Sequence, residues 1–361
     1  MPRINLALLF GGVSTEHEVS CRSAASIMTQ INREKYNIFP IGITKSGKWL
    51  YLPDASPDFV GSGAWASSPS SIRALISPER GTGLGIFDGG HFVFTPLDCV
   101  FPVLHGSNGE DGSIQGLLQL AGIPCVGPLV AASAISMDKS LTRRAVRETG
   151  VRQTDSETIS RGEYFLSPEA FLDRLETRFT YPMFVKPCCS GSSVGVSKAG
   201  NRQALRSAIE LAAGVDLKIM VEEYIDGREI EVAVLGNLDP VASVCGEIVP
   251  DGDFYSYDAK YNSPGSTLII PAKLPVQTAE TARNAAVTVY KAIGCAGLSR
   301  VDFFVRRDSG EVIFNEINTI PGFTSISMYP MLFEASGIPY PELIDALVTL
   351  AIENPENRKD L

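Results

Sequence analysis

A hairpin predicted over Arg300–Asn318 carries the strongest chemical signal in the sequence. Residues two apart in a strand share a face, which gives two groups: Arg300, Asp302 and Phe304 on the first strand, and Phe314, Glu316 and Asn318 on the second. A turn centred on Ser309 places Asp302 directly opposite Glu316, with Cβ atoms about 5 Å apart. Oxygen ligands held this close suit Mg²⁺ bound together with phosphates, so we predict a metal site formed by Asp302, Glu316 and Asn318. The alternative is a solvated polar face.

A Gly/Ser-rich loop follows a predicted strand that ends at Lys186. The segment Lys186–Lys198, KPCCSGSSVGVSK, offers backbone amides, the hydroxyls of Ser192 and Ser193, and a nearby lysine. Such loops bind phosphates through their N–H groups, although no G-K-[ST] motif closes this one. A flexible surface turn is the alternative.

Acidic residues flank a glycine turn in Val221–Val232, VEEYIDGREIEV. A strand end with free main-chain groups and a carboxylate can bind an adenine edge, and a second carboxylate can bind a ribose. Glu222, Glu223 and Glu229 are the candidates, and solvated side chains beside a turn are the alternative.

Two loops near the N-terminus each follow a predicted strand and carry Glu16 and His105. Ligands of open α/β sheets bind at the carboxyl ends of the strands, so both residues are placed to meet a small substrate. A structural histidine is the alternative for His105. The glycine pattern is not G-x-G-x-x-G, which counts against a dinucleotide site.

The polar and aromatic stretch Gly252–Ser266 is bounded by glycine and proline. We predict a lid that closes over a site, with Lys260 as a phosphate contact. An exposed hydrophilic loop is the alternative.

The elements that position these residues alternate between strands and helices in the first third of the chain, which favours a parallel α/β sheet. The predicted strands are Ile4–Phe10, Tyr36–Ile43 and Cys99–Leu104, with a helix over Val19–Ile31. Pro53–Gly90 is rich in Ser, Pro and Gly, and we expect one short helix in it near Ser70–Ile76.

The rest of the chain mixes strands with longer helices. We predict helices over Ala131–Gly150, Arg202–Ala213, Thr278–Ile293 and Pro341–Ile352, and strands over Tyr181–Lys186, Lys218–Tyr224, Glu229–Leu235 and Val241–Val249. These patterns divide the chain into three domains, residues 1–125, 126–226 and 227–361.

Composition limits the setting in which the protein works. With 41 acidic and 31 basic residues the net charge is −10, which disfavours nucleic acid as a partner. No apolar run approaches the ~18 residues that span a bilayer, and Ile4–Phe10 is expected to be a strand and not a signal peptide. Seven irregularly spaced cysteines suggest buried thiols in a reducing cytoplasm.

The order of the motifs resembles the D-alanine–D-alanine ligase family, a group of ATP-grasp carboxylate–amine ligases. The resemblance spans the chain and rests on GGVSTEHEVS, HGSNGEDG, MDK, KPCCSGSSVG, EEYIDGREIEV, FYSYDAKY, RVDFF and NEINTIPGFTSISMYP. It implies an α/β, three-domain ATP-grasp fold: an N-terminal Rossmann-like domain followed by two ATP-grasp subdomains. It also implies ATP as co-substrate, two Mg²⁺ ions (or Mn²⁺), a homodimer and a role in peptidoglycan synthesis.

The resemblance implies roles on the nucleotide side of the site. Lys139 and Lys186 would contact the α- and β-phosphates, Ser193 would belong to the phosphate loop, and Lys260 would contact the γ-phosphate. The adenine would be bound by Glu222 and the backbone from Glu223 to Ile225, and the ribose by Glu229. Asp302, Glu316 and Asn318 would hold the metal ions.

On the amino-acid side, the resemblance implies that Glu16 binds the ammonium group of the first D-alanine, with His105 nearby. Ser192 would link Glu16 to Tyr261 of the lid. Lys260 and Ser327 would bind the carboxylate of the second D-alanine, and Arg300 and the Gly322 N–H would form the oxyanion hole. The implied reaction forms an acyl phosphate, which the second amine attacks.

Several alternatives stay open. Cys188-Cys189 departs from the expected loop sequence and is interpreted as a pair of packing residues. The Lys260-Tyr261 pair argues against formation of an ester with D-lactate, whereas a D-alanine–D-serine ligase keeps that pair and is the second candidate. An NAD-dependent oxidoreductase and a catalytically inactive binding module are the candidates from other classes.

Overall fold

The computed structural model describes residues 2–191, 194–250 and 266–358. Within these ranges the chain forms three β-sheets of seven, four and five strands, which follow one another along the sequence. The domain boundaries near residues 125 and 226 stay predictions.

The N-terminal sheet has the strand order β6-β5-β4-β3-β2-β1-β7. Its strands are β1 (Ile4–Gly11), β2 (Tyr36–Ile43), β3 (Trp49–Tyr51), β4 (Ile72–Ile76), β5 (Leu84–Asp88), β6 (His91–Thr95) and β7 (Cys99–Pro102). Strands β2, β1 and β7 are parallel, as predicted; the helix α1 (His17–Gln30) connects β1 to β2, and α3 (Ser113–Ala121) follows β7. The remaining strands pair antiparallel.

The helix predicted near Ser70–Ile76 is wrong, because that segment is strand β4. Ala74 and Ile76 are buried and alternate with more exposed residues, which is the two-residue period of a half-buried strand. The helical part of this excursion lies earlier, at α2 (Pro57–Gly61) and a 3₁₀ turn over Ala64–Ser67.

The central sheet has the order β10-β9-β11-β8. Its elements are β8 (Ser156–Ser160), β9 (Met183–Pro187), β10 (Ser197–Ala199) and β11 (Lys218–Glu223), with helices α6 (Arg161–Leu166), α7 (Pro168–Arg178) and α8 (Arg202–Val215). The sheet is preceded by α4 (Val130–Met137) and α5 (Lys139–Arg147). We predicted one helix here, but Asp138 separates the two and caps α5 by accepting hydrogen bonds from the N–H groups of Ser140 and Leu141.

The C-terminal sheet has the order β14-β13-β12-β15-β16. Its strands are β12 (Gly227–Leu235), β13 (Val241–Pro250), β14 (Ser266–Ile269), β15 (Leu298–Arg306) and β16 (Val312–Asn318), and its helices are α9 (Val276–Ile293), α10 (Met328–Ala335) and α11 (Tyr340–Glu353). A last 3₁₀ turn covers Pro355–Arg358.

One hydrophobic core joins the two ends of the chain. Leu6 and Leu8 of β1 belong to the same buried cluster as Leu343 and Leu347 of α11. The N-terminal and C-terminal parts of the described chain are therefore packed together. No helix of the described part is long and apolar enough to cross a membrane.

Candidate functional site

The predicted cross-strand carboxylate pair is present on β15 and β16. Asp302 lies opposite Glu316, as predicted, and Arg300 lies opposite Asn318. The register shifts between Asp302 and Phe303, where β16 carries a bulge. Phe314, predicted on the Glu316 face, instead packs in the core against Phe303, with ring centroids 6.1 Å apart. The bulge turns the strand by one residue, so the simple two-residue alternation fails there.

Asn315 is the extra residue of this bulge and was missed in the sequence analysis. Its Oδ1 accepts a hydrogen bond from Nζ of Lys186 at 3.2 Å. Arg143 supports the same turn of β16 by donating to the carbonyl of Phe314 at 2.9 Å. The NEIN sequence contained the residue, but only the bulge directs its side chain towards Lys186.

Glu222 is buried between two cations. Its carboxylate pairs with Nζ of Lys186 at 2.6 Å and with the guanidinium of Arg143 at 2.5 Å. Burial opposes ionisation of Glu222, but the two cations prevail and lower its pKa to about 2. The carboxylate therefore orients Lys186, the lysine at the start of the Gly/Ser loop.

Lys139, the second predicted phosphate contact, lies across the same opening. Its Nζ donates to the carbonyl of Ser190 at 2.8 Å and lies 3.7 Å from a carboxylate oxygen of Glu316. Two lysines thus converge on the hairpin from α5 and β9.

Arg300 binds the Asp302 carboxylate through two hydrogen bonds of 2.8 and 2.7 Å and pairs with Glu231 at 2.9 Å. Burial opposes its charge, but Asp302 and Glu231 raise the pKa of Arg300 well above its ordinary value. Asn318 donates to Asp302 at 2.9 Å. Arg300 therefore stays charged and fixed beside the carboxylate pair.

The donor set on the hairpin fits a hard cation. Asp302, Glu316 and Asn318 present carboxylate and amide oxygens within one cross-strand cluster. Across the described ranges no three His, Cys, Asp or Glu side chains cluster in a way that could hold a metal ion. A divalent ion here would accordingly need phosphate or water oxygens to complete its ligands, as Mg²⁺ commonly does.

A cleft of about 460 Å³ lies between the central and C-terminal sheets. Its polar lining includes the predicted nucleotide residues Lys139, Lys186, Glu222, Glu223 and Glu229. Phe184, Ile225 and Phe304 supply apolar walls, which suit the faces of a flat ring.

A second cavity of about 360 Å³ adjoins this cleft and is also lined by hairpin residues. It is lined by the predicted substrate residues Glu16, His105, Arg300, Gly322 and Ser327. Both cavities share Lys139, Ser190, Asn315 and Glu316 as lining residues. The two spaces therefore meet at the ends of the lysines and the hairpin.

Glu16 is buried at the head of α1, and two glycines approach its carboxylate. A Cβ atom at Gly106 would lie 2.8 Å from Glu16 Oε2, and one at Gly191 would lie 3.1 Å away. Gly191 of the Gly/Ser loop thus lies close to the Glu16 carboxylate.

Family comparisons agree with this layout. A family model described as D-ala D-ala ligase N-terminus matches residues 5–128, and one described as D-ala D-ala ligase C-terminus matches residues 145–349. The chain belongs to the D-alanine–D-alanine ligase family.

Individual relatives cover nearly the whole chain. The D-alanine–D-alanine ligase of Caldicellulosiruptor bescii is 49% identical over 362 residues, covering 100% of this chain and 98% of the relative. The structure of the D-alanine–D-alanine ligase from Coxiella burnetii has a TM-score of 0.87 at 35% identity, covering 99% of this chain and 97% of that one. The VanG D-Ala:D-Ser ligase from Enterococcus faecalis has a TM-score of 0.88 at 39% identity, covering 97% and 100%.

Membership of the D-alanine–D-alanine ligase family confirms the predicted three-domain ATP-grasp fold class and the prediction of an ATP-dependent ligase. Four predicted site residues, Ser192, Ser193, Lys260 and Tyr261, lie outside the described residues, as does most of the predicted lid. The seven cysteines are free thiols, six of them buried, whereas Cys189 is exposed. Its interpretation as a packing residue is wrong: only Cys188 turns inward.

His105 and Glu110 belong to the lining of the second cavity. His105 is buried and its Nδ1 lies 3.0 Å from the carbonyl oxygen of Ile320. Glu110 was missed in the sequence analysis, although it stands in the quoted HGSNGEDG motif. Burial and the nearby Glu16 carboxylate raise the pKa of Glu110 to about 8.

Proposed function

We propose that this family member joins two D-alanine molecules to D-alanyl-D-alanine, with conversion of ATP to ADP and phosphate. The observation that carries the proposal is the meeting of the two cavities at Lys139, Asn315 and Glu316. A nucleotide in one cavity and an amino acid in the other would bring a γ-phosphate and a carboxylate to the same place. The names of the relatives supply the substrates.

We assign the nucleotide to the cleft between the central and C-terminal sheets. Lys139 and Lys186 would bind the α- and β-phosphates, and Glu229 the ribose. Glu222 and the backbone from Glu223 to Ile225 would bind the adenine edge, and the Glu222 carboxylate also holds Lys186 in position. Ser193 and Lys260 keep their assignments to phosphate binding.

We assign two divalent ions, Mg²⁺ or Mn²⁺, to Asp302, Glu316 and Asn318. When bound, they would neutralise phosphate charge and align the γ-phosphate. Arg300 already pairs with Asp302, and Lys139 with Glu316, so these side chains would be held in place before any ion binds.

The chain's own residues would then divide the reaction. Glu16 binds the ammonium of the first D-alanine, and that substrate's carboxylate attacks the γ-phosphorus of ATP, which releases ADP and gives an acyl phosphate. The amine of the second D-alanine, held by Ser327 and Lys260, attacks the acyl carbon and expels phosphate. Arg300 and the Gly322 N–H meet the negative charge on the tetrahedral oxygen; losing such a donor typically costs about 10²–10³ in rate. Ser192 and Tyr261 would help to close the site.

The experiment is a competition among second substrates. Purified protein receives ATP, Mg²⁺ and D-alanine, alone or mixed with equal D-serine or D-lactate, and phosphate release and product masses are measured. D-alanyl-D-alanine as the main product of every mixture supports the proposal. D-alanyl-D-serine as the main product would instead support the second candidate, which the likeness to the VanG D-Ala:D-Ser ligase brings into consideration. Absence of phosphate release would overturn both.

Further properties implied by the family stay proposals: a homodimer, the domain boundaries near residues 125 and 226, a cytoplasmic location and a product used in peptidoglycan synthesis. Sedimentation velocity tests the homodimer, limited proteolysis near residues 125 and 226 tests the domain boundaries, and cell fractionation tests the location. Accumulation of peptidoglycan precursors after depletion of the protein tests the fourth.

A further inference from the structure

The loop after β16 is held by hydrogen bonds to side chains of the N-terminal part of the chain. Ile320 and Phe323 of this loop are buried, and Pro321 and Gly322 lie between them. The contacts cross more than 200 positions of sequence, since His105 and Ile320 are 215 residues apart. The N-terminal sheet thus reaches directly into the half of the site that lies on the C-terminal sheet.

Ser23 and His105 form a hydrogen-bond relay between the two ends of this loop. Nδ1 of His105 faces the Ile320 carbonyl oxygen at 3.0 Å and must carry the ring proton, because a carbonyl can only accept. Burial lowers the pKa of His105, which favours the neutral ring. Nε2 then accepts from the Ser23 hydroxyl at 3.3 Å, and that hydroxyl accepts from the Phe323 N–H at 3.1 Å.

Glu110 holds the other polar group of the same peptide unit. One carboxyl oxygen accepts from the Ile320 N–H at 3.3 Å, and the other accepts from the Gly106 N–H at 2.7 Å. The N–H and C=O groups of Ile320 are thus both bound by the loop that follows β7. Gly106 of that loop packs against the Glu16 carboxylate.

The positions of Gly322 and Ser327 depend on these hydrogen bonds at Ile320 and Phe323. The backbone is held at Ile320 and at Phe323, whose carbonyl also accepts from the Tyr340 hydroxyl at 2.6 Å. The loop is tight around Gly322, since a Cβ atom there would lie 2.7 Å from Ser327 Oγ. A shift of Ile320 would therefore move both groups relative to Glu16.

We propose that Ser23, His105 and Glu110 are positioning residues that clamp the Ile320–Phe323 loop, and so align the Gly322 amide and Ser327 with the subsite formed by Glu16. This clamp deepens the proposed function and rests on it for the roles of Gly322 and Ser327. In this proposal both ring nitrogens of His105 hydrogen-bond to groups of the protein, and the ring does not contact the substrate directly.

Two replacements of His105 separate positioning from direct chemistry. Asparagine places an amide N–H near the position of Nδ1 and keeps the donor to Ile320, whereas glutamine places its amide near Nε2 and loses that donor. We expect His105→Gln and Ser23→Ala to lower kcat by about tenfold or more with an unchanged KM for ATP, because small displacements of reacting groups are costly. His105→Asn should stay within about threefold of the unmodified chain. His91→Gln, at an exposed position of β6, is the matched control and should change nothing.

Hydrogen exchange tests the clamp without turnover. We expect peptides covering residues 319–325 to exchange faster in His105→Gln, Ser23→Ala and Glu110→Gln than in His105→Asn or the unmodified chain. Glu110→Gln should show this because its amide offers one acceptor to two N–H donors. Circular dichroism confirms that each variant is folded.

The outcomes are distinct. Unchanged exchange in His105→Gln and Ser23→Ala would overturn the clamp. So would equal loss of kcat in His105→Asn and His105→Gln with unchanged exchange, since His105 would then act on the substrate itself. An unmodified chain that makes no dipeptide would contradict the proposed function, and the exchange result would still decide whether the clamp exists.

Discussion

At the scale of single residues, two buried carboxylates of the site are each paired with neighbouring cations. Glu222 on β11 has Lys186 from β9 and Arg143 from α5, and Asp302 has Arg300 beside it. Two buried charges without partners would cost several kcal/mol each, so these pairs are structural requirements as well as functional ones. Lysines held in this way are ready for phosphate, because their side chains are already ordered.

Neutralising Glu222 should destabilise the protein in a pH-dependent way. Its pKa falls from 4.5 to about 2 on folding, so its stabilisation is fully present above pH 4.5 and is lost as the pH falls towards 2. We expect Glu222→Gln to lower the free energy of unfolding by about 3 kcal/mol at pH 7, because Lys186 and Arg143 stay buried without their partner. The difference from the unmodified chain should shrink between pH 4.5 and pH 2. Urea unfolding across this range measures both effects.

The control for this variant is Glu169→Gln, on the surface of α7. Glu169 pairs with Arg202 and Arg206 in solvent, and such exposed pairs contribute about 0–1 kcal/mol. A loss in Glu222→Gln no larger than in this control would contradict the buried arrangement.

Removing the charge of Glu316 should weaken binding of divalent ions. We expect Glu316→Gln to bind Mn²⁺ at least about tenfold more weakly in the presence of a non-hydrolysable ATP analogue, because a carboxylate ligand is lost. Paramagnetic resonance of free Mn²⁺ measures this without turnover. Glu311→Gln is the control, since Glu311 lies at the exposed turn of the same hairpin. Equal affinities in the two variants would refute the assignment of Glu316.

At the scale of elements, the hairpin shows what could be predicted from the sequence. Alternation and the position of the turn predicted that Asp302 faces Glu316, and the pairing agrees. The bulge at Asn315 could not be predicted, because one extra residue in a strand leaves no clear mark in the pattern of apolar and polar residues. Its consequence is large, since it buries Phe314 and directs Asn315 to Lys186.

Shorter elements depended more on tertiary context. Ile72–Ile76 is five residues long, too short for its period to separate strand from helix, and its pairing with β3 and β5 decides the matter. The break between α4 and α5 carried a usable signal in Asp138, a residue type that favours helix N-caps, which the apolar pattern around it obscured.

Two glycines should respond in opposite ways to alanine. A Cβ atom at Gly42 of β2 would lie 2.4 Å from the fully buried Trp65 ring, so we expect Gly42→Ala to destabilise the protein by about 1–3 kcal/mol or more. Gly214 lies in helix α8 with nothing within 4 Å of a Cβ, so Gly214→Ala should stabilise by about 0.5–1 kcal/mol. Urea denaturation measures both. A Gly42→Ala variant as stable as the unmodified chain would contradict the packing around Trp65, and a destabilised Gly214→Ala variant would contradict the open space at that helix position.

At the scale of the whole molecule, the site is assembled from segments that are remote in sequence. The second cavity takes Glu16 and His105 from segments that follow β1 and β7, and Gly322 and Ser327 from the loop after β16. The hydrophobic core that α11 shares with β1 holds these regions together. The sequence allowed the prediction that these motifs belong to one site. It did not allow a prediction of the contacts of His105 and Glu110 with Ile320, because no local periodicity encodes a contact across 215 residues.

A nucleotide that fills the cleft between the central and C-terminal sheets should stabilise the whole chain. Lys186 and Glu222 line one wall, and Glu229 and Glu316 line the other. The cleft exists only in the folded protein, so a ligand at 100 times its dissociation constant adds about 2.7 kcal/mol. We expect a non-hydrolysable ATP analogue with Mg²⁺ to raise Tm by several degrees.

Lys186→Met should lose most of this shift, because the phosphates lose a cation that Glu222 and Asn315 hold in place. The shift is compared within each variant, since Lys186→Met also changes the stability of the free protein by removing a partner of Glu222. Lys291→Met, on the exposed last turn of α9, should keep the full shift. Differential scanning calorimetry with and without the analogue gives the four transitions. Equal shifts in the two variants would show that the nucleotide does not bind next to Lys186. The two cavities would then not meet at the place where phosphate is transferred.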